Sequence, residues 1–536
     1  MYRRLLSVDK NQVLIFIFAI AVGLVISFPH LYGIYKQGAS YTPFKITDKL
    51  QYMRDETYLY AAQARQILQG HIRGDAYTWE YRDNPSPFVS EVVSIIPISI
   101  LSLILGSVEY ALIASDFIFP IALFLIIVWG LKKFKVDNTL AILSATAVII
   151  VPNLSSLLPY VSKGGVLLTG TTSDPLIFSR TPHPQISIIF LFLTLFLTAK
   201  VIANPKKYLV YIWSLVLGIS IYSSLFVAST IYLSMILLSP LLMKKFGNKL
   251  IFTSFAIVFV IVLPWIINTV QFQNFIKDSD FFTRITYEKS LLFPRQIRYI
   301  VISLLFLRLY KHSLALVVLI FAVSAGLLMD GHQLLLGRSI DADHWITRVI
   351  APVATLSLTL IVGYVFTKLI PKYSRLVFFM ITIVIISFGM IRQLNWIDSH
   401  REDLLARPSF FEIVDEIKSK TDKTDVIGSL SPNINYYLTG ITGRRVYLAP
   451  ADRTLASTKE QLQRVCDLTK LSKDFSEEDL SKILQYAVGY KDWAKSEQDY
   501  IWSSIKKCSG DEKVIKNKLD YYIEYKDNQL FINKIN

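Results

Sequence analysis

Two adjacent carboxylates near the start of the chain are the first residues that could do chemistry. Asp55 and Glu56 open the helix-like segment DETYLYAAQARQIL, a few residues beyond the first long apolar run, and Tyr58 follows within one turn. A carboxylate within hydrogen-bond reach of a hydroxyl can act as a general base. A simpler interpretation is that Asp55 caps a helix and Glu56 is favoured by the positive end of the helix dipole.

A second polar group lies between two later apolar runs, in the segment TSDPLIFSRTPHPQ, which supplies Asp174, Arg180 and His183. The prolines on either side of His183 stiffen the approach to the next apolar run, so they are expected to hold Arg180 and His183 in place. Loop geometry alone would explain the same prolines.

A third group comes from the segment DADHWITRV, which contains His344 and Arg348. The two residues are four positions apart, so on a helix they share one face. A permanent positive charge at the depth of the lipid headgroups is suited to binding a phosphate. An arginine at a membrane boundary also serves as a simple interface anchor. Asp116, more than a turn inside a later apolar run, is a further functional candidate because buried acids in membranes are costly.

The composition shows which elements must position these residues. Of 536 residues, 53% are hydrophobic and 18% are charged, below the roughly 25% charged residues of soluble domains. Runs of about 20 apolar residues recur through the first three quarters of the chain, long enough to cross a bilayer. The net charge of +15 lies mostly in short clusters between these runs, and no nucleic-acid-binding motif accompanies it. The chain is therefore predicted to be a polytopic membrane protein without a nucleic-acid partner.

The basic clusters predict the topology. Arg3 and Arg4 precede the first run and place the N-terminus in the cytoplasm, and all later lysine clusters are cytoplasmic if the chain crosses the membrane about eleven times. The first outer loop is then 36–108, and the tail after about 392 is outside. The predicted spans are 13–35, 109–131, 138–157, 184–203, 208–224, 226–242, 250–271, 297–310, 312–329, 347–368 and 375–392.

The apolar stretch 89–106 does not fit this scheme, because a further crossing there would put the LKKFK cluster and every later cluster outside. We therefore predict an interfacial or re-entrant segment, consistent with Glu91 and Pro97 inside it. The alternative is a true span with a topology that violates the charge rule.

The polar tail, 393–536, is long enough to bury a core of its own. PSFFEIVDEIKSKTDKTDVIGSL predicts an amphipathic helix, a turn and a short strand, RRVYLA predicts another strand, and DYYIEYKDNQLFINKI predicts a hairpin around Asp527 and Asn528. The predicted fold class is an all-α polytopic membrane domain, 1–392, followed by a small α/β extracytoplasmic domain. The chain has two cysteines, Cys466 and Cys508, which an outside location would allow to form a disulfide.

An acidic pair followed by a tyrosine-containing helix, in the first outer loop after the first span, resembles the signature of the C-type glycosyltransferase superfamily. These membrane enzymes use polyprenyl-phosphate-linked sugars and include protein mannosyltransferases, aminoarabinose transferases and oligosaccharyltransferases. The resemblance covers the architecture of 1–392, but its motif is small: Asp55, Glu56 and Tyr58. The tail has no tryptophan-aspartate motif of the oligosaccharyltransferase kind, which argues against that branch.

The resemblance implies transfer of a sugar, in cell-envelope glycan or glycoprotein assembly, from a polyprenyl-phosphate donor to an extracytoplasmic acceptor. It assigns the role of base to Asp55, with Glu56 beside it. The leaving lipid phosphate needs cations, and the expected substrate-binding residues are Tyr58, Asp174, Arg180, His183, His344 and Arg348. Some members bind a divalent metal through the loop-one acid. In this chain Asp55, Glu56, Asp174 and a histidine could bind a divalent ion, but spacing alone does not show that they converge.

Three other functions fit parts of the sequence. A transporter or lipid flippase predicts repeats and ionisable groups near the bilayer midplane, whereas no repeat is visible and the ionisable groups cluster at one face. A lipid-linked polysaccharide polymerase or ligase also uses outer arginines and histidines but does not require the loop-one acidic pair. A non-catalytic receptor explains the outer domain but not the grouping of acids and bases.

Overall fold

The computed structural model describes most of the chain, namely residues 10–38, 41–43, 56–152, 176–179, 181–276, 281, 286, 288–293, 295–401, 408–472, 477–489, 503, 517–526 and 529–535. Helices dominate this part of the chain. In the first three quarters they are α1 Lys10–Gln37, α2 Glu56–Leu68, α3 Val92–Leu105, α4 Val108–Lys133, α5 Asn138–Ile150, α6 Gln185–Ala203, α7 Lys207–Ser220, α8 Leu225–Phe246, α9 Asn248–Phe275, α10 Ile297–Tyr310, α11 Ser313–Leu336, α12 Asp343–Leu369 and α13 Ser374–Ser399.

Each of the eleven predicted spans contains one of these helices. Among the described residues, nine helices are long and apolar enough to cross a membrane; eight of them lie in predicted spans and the ninth is Pro87–Leu105. Of the other three predicted spans, two contain the shorter apolar helices α5 and α7, and the third contains α10, which is in neither group. The protein is therefore a multi-pass membrane protein, as the apolar runs predicted. The number of crossings and the orientation of the termini stay predictions.

The chain divides into two compact units, each assembled from separate stretches of sequence. Unit 1 comprises 1–35, 112–265 and 287–401, and unit 2 comprises 36–111, 266–286 and 402–536. The units differ from the two contiguous domains that the sequence suggested, because unit 2 joins the first predicted outer loop to the tail. The division into 1–392 and 393–536 stays a prediction.

Helix α5 lies at the centre of unit 1 and packs against α12 and α13. All of its residues from Leu140 to Ile150 are buried, which explains why an apolar helix of this length shows no polar face. The packing with α12 is close at Gly363, where an added Cβ would lie 2.3 Å from a methyl carbon of Leu140. Small residues at such contacts let helices in membranes approach each other.

Unit 2 contains a four-stranded sheet with the order β2–β1–β3–β4. The central strand β1 is parallel to β2 and β3, and β3 pairs antiparallel with β4. The elements of the tail are α14 Pro408–Lys420, β1 Val426–Gly428, α15 Pro432–Tyr437, β2 Arg445–Val446, α16 Thr458–Leu471, α17 Glu477–Val488, β3 Tyr521–Lys526 and β4 Gln529–Lys534. The predicted helix, strands and hairpin of the tail are confirmed, although the hairpin turn at Asp527 and Asn528 lies outside the described residues.

Buried polar contacts join the first predicted loop to the tail inside unit 2. Arg464 is fully buried, and its Nη2 lies 3.0 Å from a carboxylate oxygen of Glu80 and 2.6 Å from one of Glu460. Burial by itself lowers the pKa of Arg464, but the two carboxylates outweigh that effect and raise it. Arg445 also donates to the carbonyl oxygen of Asp75 at 2.6 Å, and burial lowers the pKa of Arg445 to about 10.

The segment predicted to be interfacial begins with a 3₁₀ turn, Pro87–Glu91, and continues as α3. Helix α3 packs against α2, where the Ser99 hydroxyl donates to the carbonyl oxygen of Ala64 at 3.3 Å. Leu103 and Ile104 on its other side are 74% and 72% exposed. The segment Pro87–Leu105 is also long and apolar enough to cross. Its interfacial placement therefore stays a prediction.

Candidate functional site

A cavity of about 410 Å³ in unit 1 brings together three of the residues that the sequence singled out. His183 precedes α6, whereas His344 and Arg348 lie in the first turns of α12, and all three line the cavity. This volume falls within the usual range for small-molecule sites. The remaining lining residues are Ile177, Pro184, Glu288, Ser290, Leu292, Ser339, Asp341, Ala342, Asp343 and Thr347.

Arg348 is the permanent cation of this cavity. Its side chain is only 7% exposed, and its guanidinium lies 5.4 Å from the ring centroid of Phe226. Within the described part of the chain no carboxylate forms an ion pair with it. A buried guanidinium is suited to an anionic ligand, because a buried charge is costly unless it is paired and hydrogen-bonded.

The turn that carries Arg348 is a π-helical segment, Ile346–Ile350, between the first residues of α12 and its α-helical remainder. Such single π-turns within α-helices often occur at functional sites. His344, one turn earlier, stacks on the same Phe226 ring with the centroids 4.7 Å apart. The predicted common face of His344 and Arg348 is therefore confirmed.

A second aromatic contact fixes the start of α12. The ring of Trp345 lies 4.6 Å from that of His332 on α11. The Ile340 amide donates to His332 Nε2 at 3.0 Å. The proton of the neutral imidazole is thereby assigned to Nδ1, which donates to the Leu328 carbonyl at 2.7 Å. His332 thus ties the segment before α12 to α11 and helps to set the position of His344.

The opposite wall of the cavity is held by two polar residues of α11. Gln333 accepts a hydrogen bond from the Ser290 amide at 2.7 Å and donates to the Ser290 carbonyl at 3.0 Å. Asp330 accepts from the Leu292 amide at 2.9 Å. These contacts hold Ser290 and Leu292 in the wall, where Glu288 also lies.

Two aspartates, Asp341 and Asp343, also line the cavity. Asp341 lies 3.7 Å from His344 Nδ1 and is 45% exposed, while Asp343 is 70% exposed and lies 3.9 Å from Arg295. The backbone of Asp341 has φ +34°, a left-handed conformation that Asp tolerates better than most residues. The lining of the cavity therefore carries carboxylates as well as the guanidinium of Arg348.

His183 reaches the cavity from a short turn between two cis prolyl bonds, Thr181–Pro182 and His183–Pro184. Its side chain is 1% exposed. On either side of it, Thr181 and Gln185 donate hydrogen bonds to the buried carboxylate of Asp116. Asp116, the acid that the sequence placed inside a membrane span, is therefore part of the support of the cavity.

The remaining predicted site residues are not brought to this cavity by the described part of the structure. Asp55, Asp174 and Arg180 lie outside the described residues. Glu56 begins α2, but its side chain also lies outside that description. Tyr58 is 1% exposed in unit 2 and packs edge-on against Tyr436 with the ring centroids 5.3 Å apart. The catalytic and substrate-binding roles of these residues stay predictions.

No set of three or more His, Cys, Asp or Glu side chains suited to a metal ion occurs among the residues that the structure describes. The acids proposed from the sequence as metal ligands, Asp55, Glu56 and Asp174, fall outside that search.

No family model and no curated protein sequence matches the chain, but its fold matches solved structures. ArnT from Cupriavidus metallidurans in the apo state aligns with a TM-score of 0.52 and 12% identity, covering 83% of this chain and 90% of that chain. The same protein bound to undecaprenyl phosphate aligns with a TM-score of 0.52 and 12% identity, over 82% and 86% of the two chains. The Archaeoglobus fulgidus oligosaccharyltransferase in the apo form aligns with a TM-score of 0.51 and 10% identity, over 95% and 69%.

Both matched proteins are C-type glycosyltransferases. At such low identity the likeness is one of fold. The chain therefore has the C-type glycosyltransferase fold, combining apolar membrane helices with a small C-terminal sheet region, as its sequence predicted.

Proposed function

We propose that this protein is a membrane glycosyltransferase that moves a sugar from a polyprenyl-phosphate-linked donor to an acceptor on the extracytoplasmic face. The lipid phosphate of the donor binds in the cavity of unit 1, next to Arg348. The fold supports this class of function, because one of the matched structures is bound to undecaprenyl phosphate.

The observation that carries the proposal is the buried guanidinium of Arg348. It lines a cavity that also contains His183 and His344, and no described carboxylate pairs with it. A phosphate can accept hydrogen bonds from a guanidinium at two oxygens, and charge-assisted bonds of this kind are stronger than neutral ones. The two imidazoles can donate further hydrogen bonds to the same phosphate.

The same groups suit the chemistry of sugar transfer. The acceptor hydroxyl attacks the anomeric carbon, a new carbon–oxygen bond forms, and the bond to the phosphate oxygen breaks. The bonding electron pair leaves with the phosphate, where Arg348 stabilises the added negative charge. Asp55 takes the proton of the acceptor hydroxyl as a general base. Attack opposite the leaving phosphate inverts the anomeric carbon.

The extracytoplasmic location of the tail is part of the proposal. Cys466 is disulfide-bonded, and Cys508 is the only other cysteine of the chain. Disulfides persist in oxidising compartments and are rare in the cytosol. This agrees with the charge rule, which places the tail outside and the N-terminus inside.

Binding of undecaprenyl phosphate to the purified protein in lipid nanodiscs tests the proposal. Arg348→Ala should weaken binding by about 1.5–3 kcal/mol, the cost of losing hydrogen bonds to a charged group. Arg348→Lys should weaken binding by a smaller amount, because lysine keeps the positive charge although it lacks the planar guanidinium. Arg338→Ala is the matched control, since Arg338 is an exposed arginine that does not line the cavity. Equal affinity of wild type and Arg348→Ala would contradict the proposal.

A further inference from the structure

The cavity is supported by a buried polar network centred on Asp116. This residue of α4 is 2% exposed, and its carboxylate is approached by three side chains. His30 Nε2 lies 2.8 Å from Oδ2, and both Thr181 and Gln185 donate to Oδ1. Asp116 thus joins α1 and α4 to the start of α6.

Asp116 is an acceptor in this network. The Thr181 hydroxyl donates to its carboxylate and lies 2.9 Å from the Ser115 hydroxyl. The Gln185 amide nitrogen donates to the Phe178 carbonyl and to Asp116, so both of its protons have partners. Oδ1 of Asp116 therefore accepts from both Thr181 and Gln185, while Oδ2 faces His30.

Two of the three partners flank His183. Thr181 lies two residues before it and Gln185 two residues after it, so one carboxylate holds both sides of the turn that carries the imidazole. His183 is 1% exposed and lines the cavity with Arg348. If the turn needed only packing, apolar residues would be buried at a lower cost in free energy than an acid and a histidine.

We propose that Asp116 is a positioning residue: through Thr181 and Gln185 it holds the His183 imidazole in the cavity, and His30 supplies the third donor to its carboxylate. The nature of the ligand at His183 rests on the proposed function, whereas the placement of the ring does not. Asp116→Leu keeps a branched side chain of similar shape but removes both oxygens. Thr181 and Gln185 then lose the acceptor that they share.

A double-mutant cycle separates positioning of His183 from a general structural role. Binding of undecaprenyl phosphate is measured in nanodiscs for wild type, Asp116→Leu, His183→Ala and the double variant. We expect each single variant to bind about tenfold more weakly, and the double variant to match His183→Ala within about twofold, because coupled residues are not additive. Asp137→Asn removes another carboxylate of unit 1 outside the network and should leave binding unchanged.

Two results would overturn the inference. One is wild-type affinity in Asp116→Leu. The other is an Asp116→Leu effect of the same size with and without His183, which would indicate a structural effect unrelated to the imidazole. If Asp116→Leu does not fold, the same cycle is run with Thr181→Val, which removes one flanking donor and keeps the carboxylate.

A second measurement does not depend on the lipid. Diethyl pyrocarbonate modifies accessible imidazoles, and mass spectrometry gives the rate at each histidine. We expect modification of the buried His183 to be at least about fivefold faster in Asp116→Leu, with His400 unchanged as the internal control. An unchanged modification rate at His183 would contradict the inference. Failure of the wild type to bind undecaprenyl phosphate would contradict only the proposed function.

Discussion

At the scale of single residues, the cavity depends on side chains with distinct tasks. Arg348 supplies a permanent charge, His344 shares its support on Phe226, and His183 approaches from a separate turn. An arginine is suited to this position because its planar guanidinium matches the geometry of a phosphate. Neutral imidazoles, in contrast, can donate or accept hydrogen bonds according to the tautomer that the ligand selects.

The proposed base gives the sharpest prediction about catalysis. Asp55→Asn keeps the size and the capping ability of the side chain but removes the charge, so turnover should fall by about 10²–10⁴. Glu56→Gln should lower turnover by a smaller factor if Glu56 only orients Asp55. It should lower turnover by a similar factor if the two residues share a metal. Turnover of a lipid-linked sugar by purified variants is the measurement.

The alternative role of Asp55 as a helix cap predicts the opposite pattern. Asparagine is nearly as good a cap as aspartate, so stability should change by about 1 kcal/mol or less and turnover should stay near normal. Near-normal turnover would remove the catalytic role of Asp55 and favour a polymerase or ligase that does not require the acidic pair.

Part of the cavity could be predicted from sequence, because histidine and arginine stand out between apolar runs. His183, His344 and Arg348 were identified in this way and lie in one cavity. Their supports were missed. Phe226 and His332 occur within long apolar helices, where nothing in the spacing separates a supporting ring from ordinary core packing. The role of Asp116 as a partner of Thr181 and Gln185 needed three-dimensional proximity.

At the scale of elements, the buried ion pairs of Arg464 join α16 to the 3₁₀ turn Trp79–Tyr81. Arg464 is on α16 and Glu80 is in that turn, and Arg464 also donates to the Tyr447 carbonyl at 2.7 Å. A buried guanidinium with this many partners makes the first predicted loop depend on the tail for its conformation.

Arg464→Met tests that dependence, because it keeps an unbranched apolar stem and removes the cation. The carboxylates of Glu80 and Glu460 are left without their partner. The free energy of unfolding of unit 2 should fall by about 2–4 kcal/mol, a buried-pair cost reduced for their partial exposure. Thermal unfolding and the rate of tryptic cleavage at Arg82 report the change.

Lys459→Met is the control, since Lys459 is an exposed residue of the same helix. It should leave both the unfolding transition and the cleavage rate unchanged. Equal behaviour of the two variants would mean that the loop holds its conformation without the buried arginine.

At the scale of the whole molecule, hydropathy predicted the positions of the helices. It did not predict which stretches of sequence assemble into each of the two units. Each apolar run predicted to cross contains a helix, because the length and period of such runs are local properties. The composition of unit 2 was not predictable in the same way. Residues 36–111 join the tail through contacts such as that between Arg464 and Glu80, which are more than 380 residues apart, and no local pattern indicates such a pairing.

The topology is a testable property of the whole chain. With Cys466 and Cys508 replaced by serine, we expect an impermeant maleimide to label Ile72→Cys in intact cells and to leave Lys133→Cys unlabelled. Ile72 and Lys133 are both exposed in the structure, so the difference would report the side of the membrane. Labelling at 133 without labelling at 72 would reverse the orientation and place the proposed site in the cytoplasm.

The central claim is that the cavity of unit 1 binds the phosphate of a polyprenyl-phosphate donor. An experimental structure of the full chain with undecaprenyl phosphate tests it most directly. The account predicts a phosphate about 3 Å from the Arg348 guanidinium nitrogens, the usual hydrogen-bond distance, with His183 or His344 in contact with it. A lipid phosphate bound elsewhere on the protein, with this cavity empty, would contradict the account.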